Sequence, residues 1–255
     1  MSSTKFASLI VVAFLLSSCV TSYKIVGVER TRILIDDRYD AVEVDSSIVD
    51  FLKPYRKVVD SVMTPIVGHL DRSLKSYRPE SELSNLLADI MVWAGTRYGE
   101  EPVLGLYNMG GIRASFPEGE ITYGNVLDVA PFENKICFLT LTGEWMMELM
   151  RNIASVYGEG VSHGVEIVIS KEGQLKSVLL NGKDIDPQKE YRIATIDYLA
   201  EGNDRITAFK HKTKLVSPQE ETNNTRYIIC DYFREMTRKG TRIDPRIEGR
   251  IIIEE

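Results

Sequence analysis

An apolar run that ends in a glycine turn constrains this chain more than any other stretch of its 255 residues. The run 103–107 (VLGLY) predicts a buried strand, because a short continuous apolar segment bounded by turn residues suits a strand covered on both faces. The next six residues, NMGGIR, place an amide, two glycines and an arginine in one turn. Glycine permits positive φ and a close approach to the backbone. The turn is therefore either a ligand-binding loop or a solvated surface turn.

The charge balance argues against one class of partner. The chain has 44% hydrophobic and 27% charged residues and a formal net charge of −6, which is the composition of a globular protein with an acidic excess. Sequence-independent nucleic-acid binding depends on clustered Lys and Arg that meet phosphates. We therefore expect no nucleic acid polymer as a partner, and any nucleotide ligand is expected to be small.

The first residues have the pattern of a targeting segment. Lys5 is followed by an apolar stretch, 6–16, that is too short to span a bilayer, and the segment ends in LSSC at Cys19. This pattern resembles the lipobox of bacterial lipoproteins. The resemblance implies a signal peptide over residues 1–18, a lipid anchor on Cys19 and an extracytoplasmic location, facing the periplasm or the cell surface. A plain secretory signal with a chance cysteine is the alternative.

Apolar periodicity predicts an α+β fold with a mixed β-sheet packed against helices. Residues 19–53 are predicted to form an anchored segment with edge strands, and residues 54–255 a single domain. A long helix is predicted from Pro54 through residue 74, kinked or split at Pro65, because its apolar residues recur at intervals of three and four. Further elements lack a regular βαβ alternation. These elements are a helix after residue 79, a short helix 122–129 that Thr122 caps, a strand 135–141, a helix after Thr142, a hairpin 165–180, a strand from Tyr191 and a helix 225–238.

Sequence patterns of the common hydrolytic sites are missing. None of the three histidines, His69, His163 and His211, has a metal-ligand spacing, and there is no G-x-S-x-G or P-loop motif. Cys137 and Cys230 lie in apolar surroundings and are predicted to be small buried hydrophobes, although a disulfide between them stays open. We therefore expect no catalytic residue, metal or cofactor in this chain.

Several linked motifs resemble the C-terminal domain of the bacterial and animal 5′-nucleotidases. Together they span about residues 55–253 in the order of that family, which implies its α+β fold over residues 54–255. The motifs are NMGGIR (108–113), EITYGNVL (120–127), APF (130–132), NGK (181–183), YRIAT (191–195), YLA (198–200) with Gly202 and Asp204, and EGRI (248–251).

The resemblance implies a nucleoside or nucleotide site. In that family two aromatic rings stack on the base, while the Asn and Arg of the glycine turn and a later Asp hold the ribose and phosphate. The matching positions are the turn residues Asn108, Gly110, Gly111 and Arg113, the rings Phe132 and Tyr198, and the ribose ligand Asp204.

Two departures from the family pattern bear on this site. The chain has Gly-Asn-Asp-Arg at 202–205, where the family has Gly-Gly-Asp-Gly, and Arg205 adopts positive φ poorly. The family's upstream phosphate-binding Arg has no clean match, because Tyr77 stands there and Arg78 is one position off. Burial in the core is the alternative interpretation for each ring.

The same family carries catalysis on an N-terminal metallophosphoesterase domain with two metals. The few dozen residues after Cys19 are too few for such a domain. The first expectation is therefore a recognition domain that acts with a separate metallophosphoesterase polypeptide, which carries the divalent metals, in extracytoplasmic nucleotide hydrolysis and catabolism. The alternatives are a non-catalytic lipoprotein with a docking or small-ligand-binding role, and a stand-alone enzyme.

Overall fold

The computed structural model describes residues 23–34 and 46–254. The chain divides into a unit that ends at Phe51 and a unit from Leu52 to Glu255. Residues 23–34 form no strand, so the edge strand predicted there is wrong for these residues. Cys19 and the predicted signal peptide lie outside the described residues. Within the described ranges, no helix is both long and apolar enough to cross a membrane.

Helices and short strands alternate irregularly along the chain. The helices are α1 (Ser46–Met63), α2 (Glu82–Ala94), α3 (Tyr123–Val129), α4 (Gly143–Ser155), the single turn α5 (Asp197–Ala200) and α6 (Thr225–Lys239). The strands are β1 (Ile66–Leu70), β2 (Leu104–Tyr107), β3 (Gly119–Thr122), β4 (Ile136–Thr142), β5 (Gly160–Val161), β6 (Val165–Ile169), β7 (Leu175–Leu180), β8 (Glu190–Ile196), β9 (Thr213–Val216) and β10 (Ile251–Ile253).

Within residues 23–34 and 46–254 the strands form three sheets, which confirms the mixed α+β fold. The largest has the order β5-β2-β8-β4-β9, in which β2 and β8 are parallel and the other pairs are antiparallel. A second sheet, β10-β6-β7, contains the predicted hairpin β6-β7 and a parallel pair, β10-β6. The third sheet is the antiparallel pair β1-β3.

The core lies between the largest sheet and the helices that cover it. Every residue of β4 except its last, Thr142, is buried. On β2, a Cβ at Gly105 would lie 2.2 Å from the Ala88 carbonyl oxygen, so only glycine lets α2 pack this closely. Cys137 and Cys230 are buried free thiols, as predicted, and burial raises their thiol pKa values to about 12 and about 11.

The predicted long helix from Pro54 ends earlier than expected. It stops at Met63, and Ile66–Leu70 forms strand β1 instead of further helical turns. Proline at position 65 cannot donate the backbone hydrogen bond that a continuing helix requires. The apolar residues that follow can instead be buried by pairing with β3, whose sequence position is about fifty residues later.

We predict that the cap of α3 stabilises the domain measurably. The Thr122 hydroxyl accepts from the Asn125 N–H, and the Asn125 side chain accepts from the Thr122 N–H, which makes a reciprocal capping box. Thr122→Ala should therefore lower the free energy of unfolding by about 0.5–2 kcal/mol in urea denaturation.

Thr142→Ala is the matched control. Thr142 precedes α4 in the same way, but its side chain makes no capping hydrogen bond. Its substitution should therefore cost less than that of Thr122. An equal loss in the two variants would contradict the capping argument.

Candidate functional site

Three loops meet in a cleft of about 220 Å³ at one edge of the largest sheet. The first loop follows β2, the second leads into β4, and the third follows β8. The residues that line the cleft are Asn108, Gly110, Phe132, Asn134, Tyr198 and Asp204.

The pairing of the strands explains why these loops lie together. Strands β2 and β8 run parallel, with Leu104 opposite Ile193, so their carboxyl ends reach the same edge of the sheet. Strand β4 is antiparallel to β8, and its first residue, Ile136, is opposite the last residue of β8, Ile196. The loop before β4 therefore lies at the edge where β2 and β8 end.

Asp204 accepts one hydrogen bond from the glycine turn and one from its own segment of the cleft. One carboxylate oxygen accepts from Asn108 Nδ2 at 2.7 Å and the other from the Tyr198 hydroxyl at 2.9 Å. Because the phenol donates to a carboxylate, the pKa of Tyr198 is raised. Each carboxylate oxygen has a further lone pair, so Asp204 can also accept from ligand hydroxyls.

The loop that carries Asp204 adopts a conformation that costs backbone energy. Asp204 and Arg205 have φ of +50° and +64°, in the left-handed region, which costs a non-glycine residue about 1–2 kcal/mol. The side chain of Asn203 donates to the Tyr198 carbonyl at 2.8 Å and ties the loop to α5. Arg205 therefore takes a glycine-like backbone conformation although the sequence departs from glycine there.

Both predicted rings are accessible to a ligand. Phe132 is 48% exposed and Tyr198 is 40% exposed, so neither fits the alternative of a buried core aromatic. The strand predicted from Tyr191 does not reach Tyr198, because β8 ends at Ile196 and α5 begins at Asp197. The Asp197 carboxylate accepts from the Tyr198 N–H at 2.8 Å, a local bond that favours a turn over an extended strand.

The glycine turn brings its amide into the cleft but not its arginine. Asn108 is buried, and a Cβ at Gly111 would lie 2.5 Å from Asn108 Oδ1, so Gly111 leaves the space that this side chain occupies. A Cβ at Gly110 would contact Asp204 Oδ2 at 3.5 Å. Arg113 is exposed and does not line the cleft, and its guanidinium lies 3.3 Å from the Gly110 carbonyl oxygen.

Two further residues at the cleft were missed from the sequence. Asn134 lines the cleft. Its position two residues after the predicted ring Phe132 and just before a strand could have indicated this from the sequence. Glu159 lies behind the glycine turn and accepts from the Met109 N–H. Nothing in the local sequence around Glu159 connects it with a turn fifty residues earlier.

The histidines are spread over separate surfaces. His69 lies 3.3 Å from Asp71, His163 lies 2.9 Å from Glu248, and the His211 ring stacks on Trp145. Among the residues that the structure describes, no three His, Cys, Asp or Glu side chains are grouped to hold a metal ion.

Comparison with known proteins relates this cleft to one family. The model of the 5′-nucleotidase C-terminal domain matches residues 63–211. Protein UshA of Escherichia coli is 29% identical over 138 residues, which are 53% of this chain and 24% of that protein. The trifunctional nucleotide phosphoesterase protein YfkN of Bacillus subtilis is 29% identical over 220 residues, 78% of this chain and 14% of that protein.

Solved structures agree with the fold. The 5′-nucleotidase precursor from Thermus thermophilus superposes with a TM-score of 0.71 at 25% identity, over 84% of this chain and 44% of that one. The NAD nucleotidase of Haemophilus influenzae superposes with a TM-score of 0.60 at 18% identity, over 82% of this chain and 41% of that one. This chain therefore spans less than half the length of these neighbours and a quarter or less of UshA and YfkN. Because the family model covers more than half of its residues, the chain belongs to the 5′-nucleotidase C-terminal domain family.

Proposed function

We propose that this chain recognises a nucleoside or nucleotide in the cleft and acts with a separate metallophosphoesterase polypeptide in extracytoplasmic nucleotide hydrolysis. The observation that carries the proposal is the joint lining of one cleft by two exposed rings, Phe132 and Tyr198, and a carboxylate, Asp204. The rings would stack on the base, and the carboxylate would accept from the ribose hydroxyls.

The cleft chemistry suits a nucleoside of any base. Every base has a π-face, and stacking on an aromatic side chain contributes about 1–3 kcal/mol per base. Stacking on two rings contributes roughly 2–6 kcal/mol before the entropy lost in ordering the rings and the ligand is subtracted. The chain alone should therefore bind a nucleoside weakly, with a Kd of about millimolar to tens of micromolar. Asn134 adds an amide that can donate and accept at a base edge.

Arg113 is proposed to contact the phosphate of a bound nucleotide. Its guanidinium is exposed on the glycine turn, next to the cleft residue Gly110. A planar fork of donors suits phosphate oxygens. The phosphate would then lie toward the outside of the cleft, where a catalytic partner could reach it.

The proposal of a separate catalytic polypeptide draws on relatives whose names state a phosphoesterase activity. The activity in the name of YfkN, that of a nucleotide phosphoesterase, belongs to a protein of which this chain covers 14%. The divalent metals of the reaction would then be bound by that other polypeptide. Recognition and phosphate transfer would be divided between two chains.

One observation favours a second candidate, a non-catalytic lipoprotein with a docking or small-ligand role. Arg205 stands in the left-handed conformation next to Asp204 and is exposed. A cationic side chain next to the carboxylate changes the electrostatic potential at the ligand site. Under this alternative the protein bound to its partners would release no phosphate from nucleotides.

We predict that the two rings carry nucleoside binding. Phe132→Ala and Tyr198→Ala should each weaken adenosine binding by roughly 5-fold to 150-fold, because each removes one stacked contact. Isothermal titration calorimetry of the full chain with adenosine measures the loss. Tyr198→Phe is the matched control, since it keeps the ring and removes only the hydroxyl that donates to Asp204. Undiminished binding by both alanine variants would contradict the ring proposal.

We also predict divalent-metal-dependent phosphate release by the assembled proteins. The tagged full chain should be purified under mild conditions from its own cells, so that the partner polypeptide stays bound. The purified complex should hydrolyse AMP and p-nitrophenyl phosphate. With Phe132→Ala, AMP hydrolysis at limiting AMP should fall while hydrolysis of p-nitrophenyl phosphate, which has no nucleoside, stays unchanged. The non-catalytic alternative predicts no metal-dependent phosphate release at all.

The proposed location depends on the lipid anchor at Cys19. A polypeptide with this anchor should incorporate labelled palmitate and remain with membranes after a high-salt wash. Cys19→Ser should lose both properties, whereas Ser18→Ala keeps the cysteine and should retain them. Palmitate label in the Cys19→Ser protein would exclude this residue as the attachment site.

A further inference from the structure

A buried carboxylate lies directly behind the glycine turn. Glu159, between α4 and β5, is 2% exposed. One of its oxygens accepts from Arg78 Nη2 at 2.6 Å, and the other accepts from the backbone N–H of Met109. Arg78 also donates from Nε to the Gly158 carbonyl at 2.8 Å. The carboxylate is therefore held on one side by a cation and is bonded on the other side to the turn.

Met109 is the first residue of a single 3₁₀ turn, Met109–Gly111. The first N–H groups of a helical turn have no partner inside it, and leaving one buried and unbonded costs free energy. Glu159 supplies the missing acceptor. Burial raises the pKa of Glu159, whereas the Met109 N–H and Arg78 act in the opposite direction and favour its ionised form. Asp204 is a nearby carboxylate that also raises this pKa.

Among the described residues, the side chain of Asn108 makes one hydrogen bond. Asn108 is the residue just before this turn, and its Nδ2 donates to Asp204. Its Oδ1 is buried and accepts no hydrogen bond from any described residue. The direction of the amide therefore depends mainly on the backbone of the turn, which Glu159 holds through Met109.

We infer that Glu159 is a positioning residue for ribose recognition: it fixes the turn so that the Asn108 amide faces Asp204. This inference rests on the proposed function for its ligand, since Asp204, to which Asn108 donates, is the proposed ribose contact. Glu159 lies outside the residues that line the cleft and acts only through the turn.

A ligand-free measurement tests the positioning itself. In Glu159→Ala, the side-chain NH₂ resonances of Asn108 should move in a ¹⁵N–¹H spectrum, because the turn loses its acceptor at Met109. The matched control is Glu100→Gln, which weakens an ion pair to Arg192 at the start of β8, the end of that strand opposite the cleft. It should leave the Asn108 resonances in place. Unchanged Asn108 resonances in a folded Glu159→Ala protein would overturn the inference.

A ligand comparison tests the consequence for ribose. The wild-type chain should bind adenosine more tightly than 2′,3′-dideoxyadenosine, which lacks both hydroxyls. In Glu159→Ala this preference should fall by about threefold to tenfold, the equivalent of one hydrogen bond. Glu159→Gln keeps one acceptor oxygen for Met109 and should retain more of the preference, and Glu100→Gln should retain all of it.

The outcomes separate the two proposals. A general loss of stability would weaken the binding of both nucleosides equally and leave the ratio of their affinities unchanged. An unchanged affinity ratio in Glu159→Ala would therefore overturn the positioning role. If the wild-type chain bound neither nucleoside, the proposed function would fail, while the Asn108 resonances would still decide whether Glu159 positions the turn.

Discussion

The parallel pairing of β2 with β8 is the constraint on which the site depends. It brings Asn108 and Tyr198, ninety residues apart in the sequence, to one edge of the sheet. The antiparallel pairing of β4 adds Phe132 at the same edge. Side chains on a strand alternate between the two faces of the sheet. If the pairing of β2 with β8 shifted by one residue, the side chains at the ends of the two strands would lie on opposite faces. The buried residues of these strands fix the register and thereby the cleft.

Asp204 connects the segment after β8 to the glycine turn after β2 once the strands have placed them. Its left-handed backbone, shared with Arg205, is unfavourable in isolation. Hydrogen bonds from Asn108 and Tyr198 to its carboxylate, together with that from Asn203 to the Tyr198 carbonyl, oppose this cost. The loop therefore keeps its conformation without the glycine that the family pattern has after the aspartate. Arg205 adopts the positive φ that suits a glycine and adds a cationic side chain next to Asp204.

Local signals were readable from the sequence, whereas pairing over long distances was not. The Thr122 cap and the hairpin β6-β7 depend on neighbouring residues, and the structure places both as predicted. The linked motifs bring Asn108, Phe132, Tyr198 and Asp204 to one cleft, whereas Arg113 lies outside its lining. Strand β1 was mistaken for helix because its apolar residues also fit a helical period, and its partner β3 lies far along the chain. Glu159 was missed for the same reason, since its bond to Met109 spans fifty residues.

The cleft combines a fixed polar part with open aromatic parts, and this difference bears on what it selects. In the cleft, Asn108 is 3% exposed, and Glu159 behind its turn is 2% exposed, whereas Phe132 and Tyr198 are 48% and 40% exposed. Fixed donors and acceptors lose little entropy when a ligand binds, so hydroxyl groups that match them are favoured at low cost. The exposed rings must be ordered by the ligand, and stacking on them discriminates weakly between bases. Under the proposed function, a cleft built in this way would select the ribose more strictly than the base.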